Sequence, residues 1–381
     1  MNAADRKVVV AGNNAFAVAL YGQLRSQSGN LFFSPESIST ALAMAYAGAR
    51  GDTASQMAKT LHFTLPLEQL NPAMGALLGD LNTTHQNYQL NVANALWAQQ
   101  GYTFLDSFLN VLKTNYGAGL NQVNFKGATE AARLTINQWV EKKTQDKIKD
   151  LLQPGALRSD TRLVLTNAIY FKGDWETQFD KAQTKNEVFF LSPSQTTTTP
   201  LMHREGSFSY FNGGTFQALE IPYKSKELSI IIFLPKDRGG LSEMEQSLTA
   251  SNLQQWLHQL GPVPKVIVTL PKFKSTQQFE LGSTLRAMGM PAAFGGSADF
   301  SGMTGKRDFA ISEVIHKAYI DVNEEGTEAA AATSVTMRAM AMRPVEQAPP
   351  VFRADHPFVF LIRDNRSDSI LFMGRMANPA S

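Results

Sequence analysis

Helix-patterned segments fill the first half of this chain and strand-like runs fill the second, with no βαβ alternation between them. That order restricts the fold more than any other feature: it argues for α+β and against a doubly wound parallel sheet. Asn13 or Asn14 is placed to cap a helix carrying Phe16, Leu20, Tyr21 and Leu24 on one face and stopping near Gly29. Ser34-Pro35-Glu36 opens a second helix, serine at its cap and proline in its first turn. Further helical patterns cover 52–61, 72–81, 103–116 and 128–148, while 88–97 alternates as a strand through Leu90, Val92 and Leu96. Strand-like runs follow at 163–171, 208–211, 216–223, 228–234, 263–270, 310–322, 358–362 and 370–373. Helices are expected between them at 241–260 and 278–288.

Composition narrows the function. With 43% hydrophobic and 10% aromatic residues, the chain is able to bury a large core. Its 35 basic and 33 acidic residues nearly cancel, so no electrostatic field for nucleic acid is expected. The absence of cysteine excludes a disulfide scaffold, a thiolate metal site and a cysteine nucleophile. At ~150 residues per domain, 381 residues suggest two or three domains. No internal repeat or long linker divides them, however, and one domain over 1–381 is expected. The most apolar stretch, 228–234, falls well short of the ~20 residues of a membrane-spanning helix. The N-terminal Val8-Val9-Val10-Ala11 is too short for a signal-peptide core. That leaves an intracellular protein or one whose export signal has been removed. The six histidines show no His-Glu-x-x-His spacing, and Gly295-Gly296-Ser297-Ala298-Asp299 lacks the second glycine of a nucleophile elbow. Gly302-Met303-Thr304-Gly305-Lys306 is too short for a phosphate loop. No enzyme, metal site or cofactor is expected.

One segment fits neither half. From Gly326 to about Pro350 the chain has no turn punctuation before Pro344 and no buried-strand hydrophobicity. Read with period two, one face collects Thr327, Ala329, Ala331, Thr333, Val335, Met337 and Ala339, all uncharged and small at the start. The other face collects Glu328, Ala330, Ala332, Ser334, Thr336 and Arg338. Such a pattern suits a strand of about 14 residues, roughly 45–50 Å long, with one buried face. Gly326 at its base supplies an unusual backbone turn. On pattern alone, a solvated alanine-rich loop or helix stands beside that reading.

The residues around this segment, Val322-Asn323-Glu324-Glu325-Gly326-Thr327-Glu328-Ala329-Ala330-Ala331, resemble the reactive-loop hinge of the serpins. Phe352-Arg353-Ala354-Asp355-His356-Pro357-Phe358 and Phe372-Met373-Gly374-Arg375 resemble that family's C-terminal signatures. Asn30-Leu31-Phe32-Phe33-Ser34-Pro35 and Asn167-Ala168-Ile169-Tyr170-Phe171-Lys172-Gly173-Asp174-Trp175 match two more, in family order. The resemblance implies the serpin fold: one domain, three β-sheets, about eight or nine helices, and an exposed loop over about 324–351.

It also implies a bait-and-trap inhibitor of serine proteases, and of some cysteine proteases, acting as a monomer. The loop is cleaved as a substrate, and the freed segment 326–339 inserts into the main sheet with the acylated protease attached. Family spacing, counted from the hinge residue Glu324, puts the reactive bond at Met340–Ala341, with Arg338 and Arg343 as alternatives. Methionine bait suits a chymotrypsin-, elastase- or subtilisin-like enzyme, and the arginines a trypsin-like one. Arg343 is followed by Pro344, a leaving side that most serine proteases reject. Gly326, Thr327, Ala329, Ala331 and Thr333 complete the hinge, small enough to insert. Ser34, Ser37, Asn167 and His316 match the polar cluster beneath the sheet, where strands part. Trp175 and Lys272 match positions at the loop's entrance, Lys272 as charge partner of Glu324. The segment 71–89 contains no Lys or Arg, which argues against heparin activation there. The alternative is a serpin-fold protein that binds a ligand or chaperones a client without trapping; the small hinge residues favour inhibition. A hydrolase has no supporting constellation.

Overall fold

Asn2 caps the first helix, eleven residues ahead of the expected Asn13. The computed structural model describes residues 2–82, 88–117, 119–327 and 348–380, and in it α1 runs Ala3–Leu24, with the Asn2 side chain accepting from the Ala4 N–H at 3.1 Å. Val9 and Val10 are core residues, and Asn13 lies buried in mid-helix, its Oδ1 accepting from the Ser39 hydroxyl at 2.7 Å. A partner on the neighbouring helix thus overrides asparagine's preference for a cap.

Strand β1 (Leu31–Phe33) leads into α2 (Pro35–Tyr46), which starts as expected: Ser34 Oγ accepts from the Ser37 N–H at 3.2 Å and Pro35 sits in the first turn. The first half continues with α3 (Gly51–Leu61), α4 (Leu67–Asn82), β2 (Tyr88–Gln99), α5 (Asp106–Tyr116), β3 (Leu120–Val123) and α6 (Thr129–Lys143). The second half is mostly strand. It holds β4 (Leu163–Asp174), β5 (Lys185–Phe190), β6 (Thr196–Asn212), β7 (Phe216–Pro222) and β8 (Leu228–Pro235). After α7 (Leu241–Ser247) and α8 (Ala250–Gln259) come β9 (Gly261–Pro271) and β10 (Phe273–Glu280). Helices α9 (Gly282–Ala287) and α10 (Ser301–Thr304) precede β11 (Ile311–Val322), β12 (Gly326–Thr327), β13 (Val351–Arg353), β14 (Phe358–Asp364) and β15 (Ser369–Met376).

Three further helices differ from expectation, α6 ending at Lys143 rather than at 148. The region 241–260 breaks in two because Thr249 Oγ1 accepts from the Asn252 N–H at 3.1 Å and restarts the chain as α8. Residues 278–280 are strand, since β10 stays paired with β11 as far as Glu280 opposite Ile315. The described residues hold ten α-helices, of which α10 is only four residues long.

The α+β order places six strands in one sheet, β10-β11-β12-β4-β2-β3, and nine in the other. The long β6 joins two ladders of the larger sheet: β5 and β9 pair with its start and middle, and β7 with Ser209–Asn212 at its end. Those two ladders and the six-stranded sheet are the three sheets expected.

Helix α2 packs against β2 and β4 of the six-stranded sheet and against β15 of the other, and every residue from Pro35 to Ala45 is buried. A helix buried all round leaves no water for its polar side chains. Glu36, Ser37, Ser39 and Thr40 must therefore find partners inside, and this requirement builds the site.

Candidate functional site

Across three adjacent strands of the six-stranded sheet, one residue from each lies in register. Asn94 on β2 is opposite Asn167 on β4, which is opposite His316 on β11. Beneath them lies the first turn of α2. The Ser34 N–H donates to His316 Nε2 at 3.1 Å, so the ring proton sits on Nδ1 and is donated to Asn167 Oδ1. Asn167 Nδ2 donates to both Ser37 Oγ and Asn94 Oδ1, while Ser37 Oγ donates to Asn94 Oδ1 at 3.1 Å. Asn94 Nδ2 closes the ring on the Ser37 carbonyl at 3.2 Å. Complete burial pulls the His316 imidazole down from its usual range to about 3, so it stays neutral. Its ring stacks on Phe279 at 6.3 Å.

The structure brings together all four expected members: Ser34, Ser37, Asn167 and His316. Asn94 is a fifth that the sequence reading missed. Its signal was present, because the alternation Leu90, Val92, Leu96 is broken on that face by one amide. A polar side chain on an otherwise apolar strand face needs a buried partner.

The second group lies at the top of the same strands. Strands β4 and β11 pair directly in parallel from Leu163 opposite Ile311 to Tyr170 opposite Tyr319, and then separate. Into that gap fits β12. Thr327 pairs antiparallel with Val322 of β11, and Gly326 and Thr327 pair antiparallel with Asp174 and Gly173 of β4. Gly326 is required by close approach: a Cβ there would strike the Gly173 carbonyl oxygen and lie 2.6 Å from the Asp174 Cα. Asn323 makes the turn, its Oδ1 accepting from the Glu325 N–H at 3.1 Å and the Gly326 N–H at 3.3 Å.

Thr327 is fully buried, with its hydroxyl 2.8 Å from the Tyr223 hydroxyl. Tyr223 stacks on Trp175 at 4.6 Å, and the indole Nε1–H donates to the Asn323 carbonyl at 2.9 Å. Two backbone bonds fix the turn, from the Trp175 N–H to the Glu325 carbonyl at 2.8 Å and from the Phe179 N–H to the Glu324 carbonyl at 2.9 Å. The Glu324 carboxylate receives Lys272 Nζ at 2.8 Å and the Thr184 hydroxyl at 2.8 Å. Burial alone would raise the Glu324 carboxyl, but these donors outweigh it and hold it below its usual range. Glu325 pairs with Lys181, whose ammonium is held above its usual range by that hydrogen bond.

Glu324, Gly326, Thr327, Trp175 and Lys272 are thus one assembly, at the entrance to the seam between β4 and β11. The expected hinge residues Ala329, Ala331 and Thr333, the bond Met340–Ala341, and Arg338 and Arg343 lie outside the described residues. Beyond them, β13 runs parallel to β9 with Val351 opposite Ile267.

A two-residue strand, Gly326–Thr327, thus sits between the ends of β4 and β11, above a buried polar cluster that ties β2, β4 and β11 to α2. A family model described as serpin (serine protease inhibitor) matches residues 11–379, and the chain belongs to that family. The human leukocyte elastase inhibitor is 42% identical over 379 aligned residues, covering 97% of this chain and 99% of that protein. The structure of Serpin48, a highly specific serpin of the insect Tenebrio molitor, matches with a TM-score of 0.88 at 33% identity, covering 99% of this chain and 100% of that one. Human thyroxine-binding globulin, in complex with thyroxine, matches with a TM-score of 0.88 at 31% identity, covering 98% and 99%. Serpins are protease inhibitors rather than enzymes, and the relatives named for inhibition fit that class.

Proposed function

We propose that this chain is a single-domain, monomeric suicide-substrate inhibitor of serine proteases, with an elastase-like enzyme as target. The protease serine attacks the Met340 carbonyl, an ester forms, and the Ala341 amine leaves with its new N-terminus protonated. Residues 326–339 then enter the seam between β4 and β11 as a strand, carrying the acylated protease along. The observation that carries this reading is β12: Gly326 and Thr327 already occupy strand positions between β4 and β11, with Thr327 facing the buried side. Ala329, Ala331 and Thr333 continue that face with side chains as small as Thr327. Insertion must outrun hydrolysis of the ester, and a charged or bulky side chain on this face would slow it.

The elastase-like preference rests on the unbranched apolar Met340 and on the similarity to an elastase inhibitor. Arg338 and Arg343 are the competing bait for trypsin-like enzymes. Thyroxine-binding globulin has the same fold and carries a hormone, so fold alone does not argue for inhibition; the hinge composition does.

The test is incubation with elastase, chymotrypsin, subtilisin and trypsin, followed by denaturing electrophoresis. The expected result is a complex that survives boiling with at least one of the first three. Clean cleavage by every enzyme, with no complex, overturns the reading in favour of a non-inhibitory serpin. Mass spectrometry of the released C-terminal peptide is expected to find Ala341 at its start. A start at Ala339 or Pro344 would move the bait to Arg338 or Arg343.

A further inference from the structure

A chain of paired side chains crosses β5, β6, β9 and β13 and ends against β8. Arg353, at the end of β13, donates from Nη2 to Glu187 Oε2 on β5 at 2.7 Å and from Nε to Asp355 Oδ2 at 2.9 Å. Glu187 Oε1 lies 2.8 Å from His203 Nε2 on β6, and His203 Nδ1 lies 3.1 Å from the Thr269 hydroxyl on β9. At the other end, Asp355 Oδ1 lies 2.9 Å from His356 Nδ1, and His356 Nε2 lies 2.7 Å from the Pro235 carbonyl, where β8 ends. The two histidines differ in what they face. His203 has a hydroxyl on one side that is able to donate to a bare ring nitrogen, so a neutral ring satisfies both contacts. His356 has a carboxylate on one side and a carbonyl on the other, and both only accept. Burial alone would raise the Asp355 carboxyl, but the hydrogen bonds from His356 and Arg353 outweigh it and hold it below its usual range. No carboxyl proton is therefore left for the ring to receive. Turning the ring over would put C–H groups in both places.

We propose that His356 is a positioning residue that carries both ring protons, and that the second proton fastens the foot of the bait loop to the end of β8. The side chain keeps only 7% of its exposure, so water does not replace a missing donor. Charge along the chain then alternates through Glu187, Arg353, Asp355 and His356 and sums to zero, which is what a mostly buried run of ions requires. On the Pro235 side the charged residues Lys236, Asp237 and Arg238 are exposed, with the Arg238 guanidinium 3.3 Å from the centre of the Phe190 ring. Strand β13 is the first described strand after the proposed bait, and among the described residues it pairs only with β9, over three residues. The tie through His356 joins it to a second ladder, that of β8 and β14. Loss of the second proton leaves an acceptor facing a bare nitrogen, so the foot loosens as pH rises. The ring's two protons do not depend on the trapping reading; their bearing on the bait rests on it.

Nitrogen NMR of the full chain, with His356 assigned by its absence in His356→Arg, reads the ring directly. At pH 7 both His356 nitrogens are expected to be protonated, while His316 keeps one bare nitrogen for the Ser34 N–H. A bare nitrogen on His356 at pH 7 would overturn the proposal. Amide exchange at Phe190, whose N–H donates to the Asp355 carbonyl at 2.8 Å, reads the tie. Corrected for the intrinsic pH dependence of exchange, its acceleration between pH 7 and pH 9 is expected to be at least fivefold greater in the wild type than in His356→Arg, whose charge does not titrate. Equal acceleration in the two would mean a packing role alone and would overturn the fastening. With elastase, the fraction of inhibitor that forms boil-stable complex is expected to fall at least threefold from pH 7 to pH 9 relative to His356→Arg. An unchanged ratio would overturn the bearing on the bait. The spectrum and the exchange need no protease, so failure there is distinct from failure to trap one.

Discussion

The six-stranded sheet is held in two different ways at two heights. At its entrance the seam is bordered by Glu324, Glu325, Lys272 and Lys181, with both lysines in contact with water. Lower on the same strands it is closed by Ser34, Ser37, Asn94, Asn167 and His316, a neutral network in which His316 and Ser34 are wholly buried. Half-exposed ion pairs are worth ~0–1 kcal/mol, because water and salt replace them when they part. A buried donor or acceptor left alone costs about 1–3 kcal/mol. On the proposed mechanism, the entrance is expected to open at less cost than the cluster, which would then set the barrier. A strand inserted from Thr327 onward would then gain its first pairings where resistance is least.

The contrast breaks most visibly at Thr327. Replacing it with arginine puts a charge where the wild type has a hydroxyl paired with Tyr223 and no exposed surface. Thr327→Arg is expected to lower the yield of boil-stable complex at least tenfold, with cleaved inhibitor in its place. Thr327→Val keeps the size and is expected to keep trapping. If Val fails as badly as Arg on the same gel, the Tyr223 hydrogen bond matters and the small inward face does not.

The next effect belongs to the cluster. His316→Ala leaves the Ser34 N–H and Asn167 Oδ1 unpartnered, an expected loss of about 2–4 kcal/mol in urea unfolding. The imidazole also makes the cluster sensitive to acid. Its folded pKa of about 3 lies below the ordinary value of 6.5, so the unfolded chain takes up the proton first. Stability from this group is full above pH 6.5 and is lost as pH falls towards 3. The acid slope of the urea midpoint in that window is expected to flatten in His316→Ala; an unchanged slope would place the titration elsewhere.

Glu36 tilts the other way. It stands in the first turn of α2, buried, with the Thr40 hydroxyl donating to its Oε1 at 3.0 Å. Burial raises its carboxyl to about 7, against the Thr40 hydrogen bond that lowers it. Here the folded chain holds the proton more tightly, so stability is full below about pH 4.5 and is lost as pH rises through 7. Glu36→Gln is expected to add about 3 kcal/mol at pH 8 and almost nothing at pH 4.5. Equal urea midpoints at pH 8 would mean that the carboxylate finds a partner when it ionises.

Much of this was legible before any coordinates. The helix-then-strand order, the α2 start and the runs that became β4, β8 and β11 follow from caps and periodicity, and the family's motifs pointed to both halves of the site. What was missed has one physical cause, a tertiary partner overriding a local preference. Asn13 is drawn inside α1 by Ser39, Gln278 is held in β10 by its pairing with Lys317, and Asn94 is buried by bonds to Ser37 and Asn167, 57 and 73 residues away. Local pattern carries no information on such partners. The turn role expected of Gly326 became one of contact with β4, for the same reason.

The smallest effect tests the entrance itself. Lys272 Nζ lies 2.8 Å from Glu324, yet the lysine side chain keeps 38% of its exposure. Its removal leaves Glu324 with the Thr184 hydroxyl, and the turn stays anchored by the backbone bonds from Trp175 and Phe179. Lys272→Ala is therefore expected to cost under about 1 kcal/mol in urea and to change the fraction of inhibitor that traps less than twofold. A loss matching that of His316→Ala would mean that the entrance is locked by charge, so that β12 cannot seat without it. In that case, opening would be limited from the top of the seam, and raising the salt concentration would speed it. If Lys272→Ala is mild and trapping is insensitive to salt, the barrier belongs to the neutral cluster below.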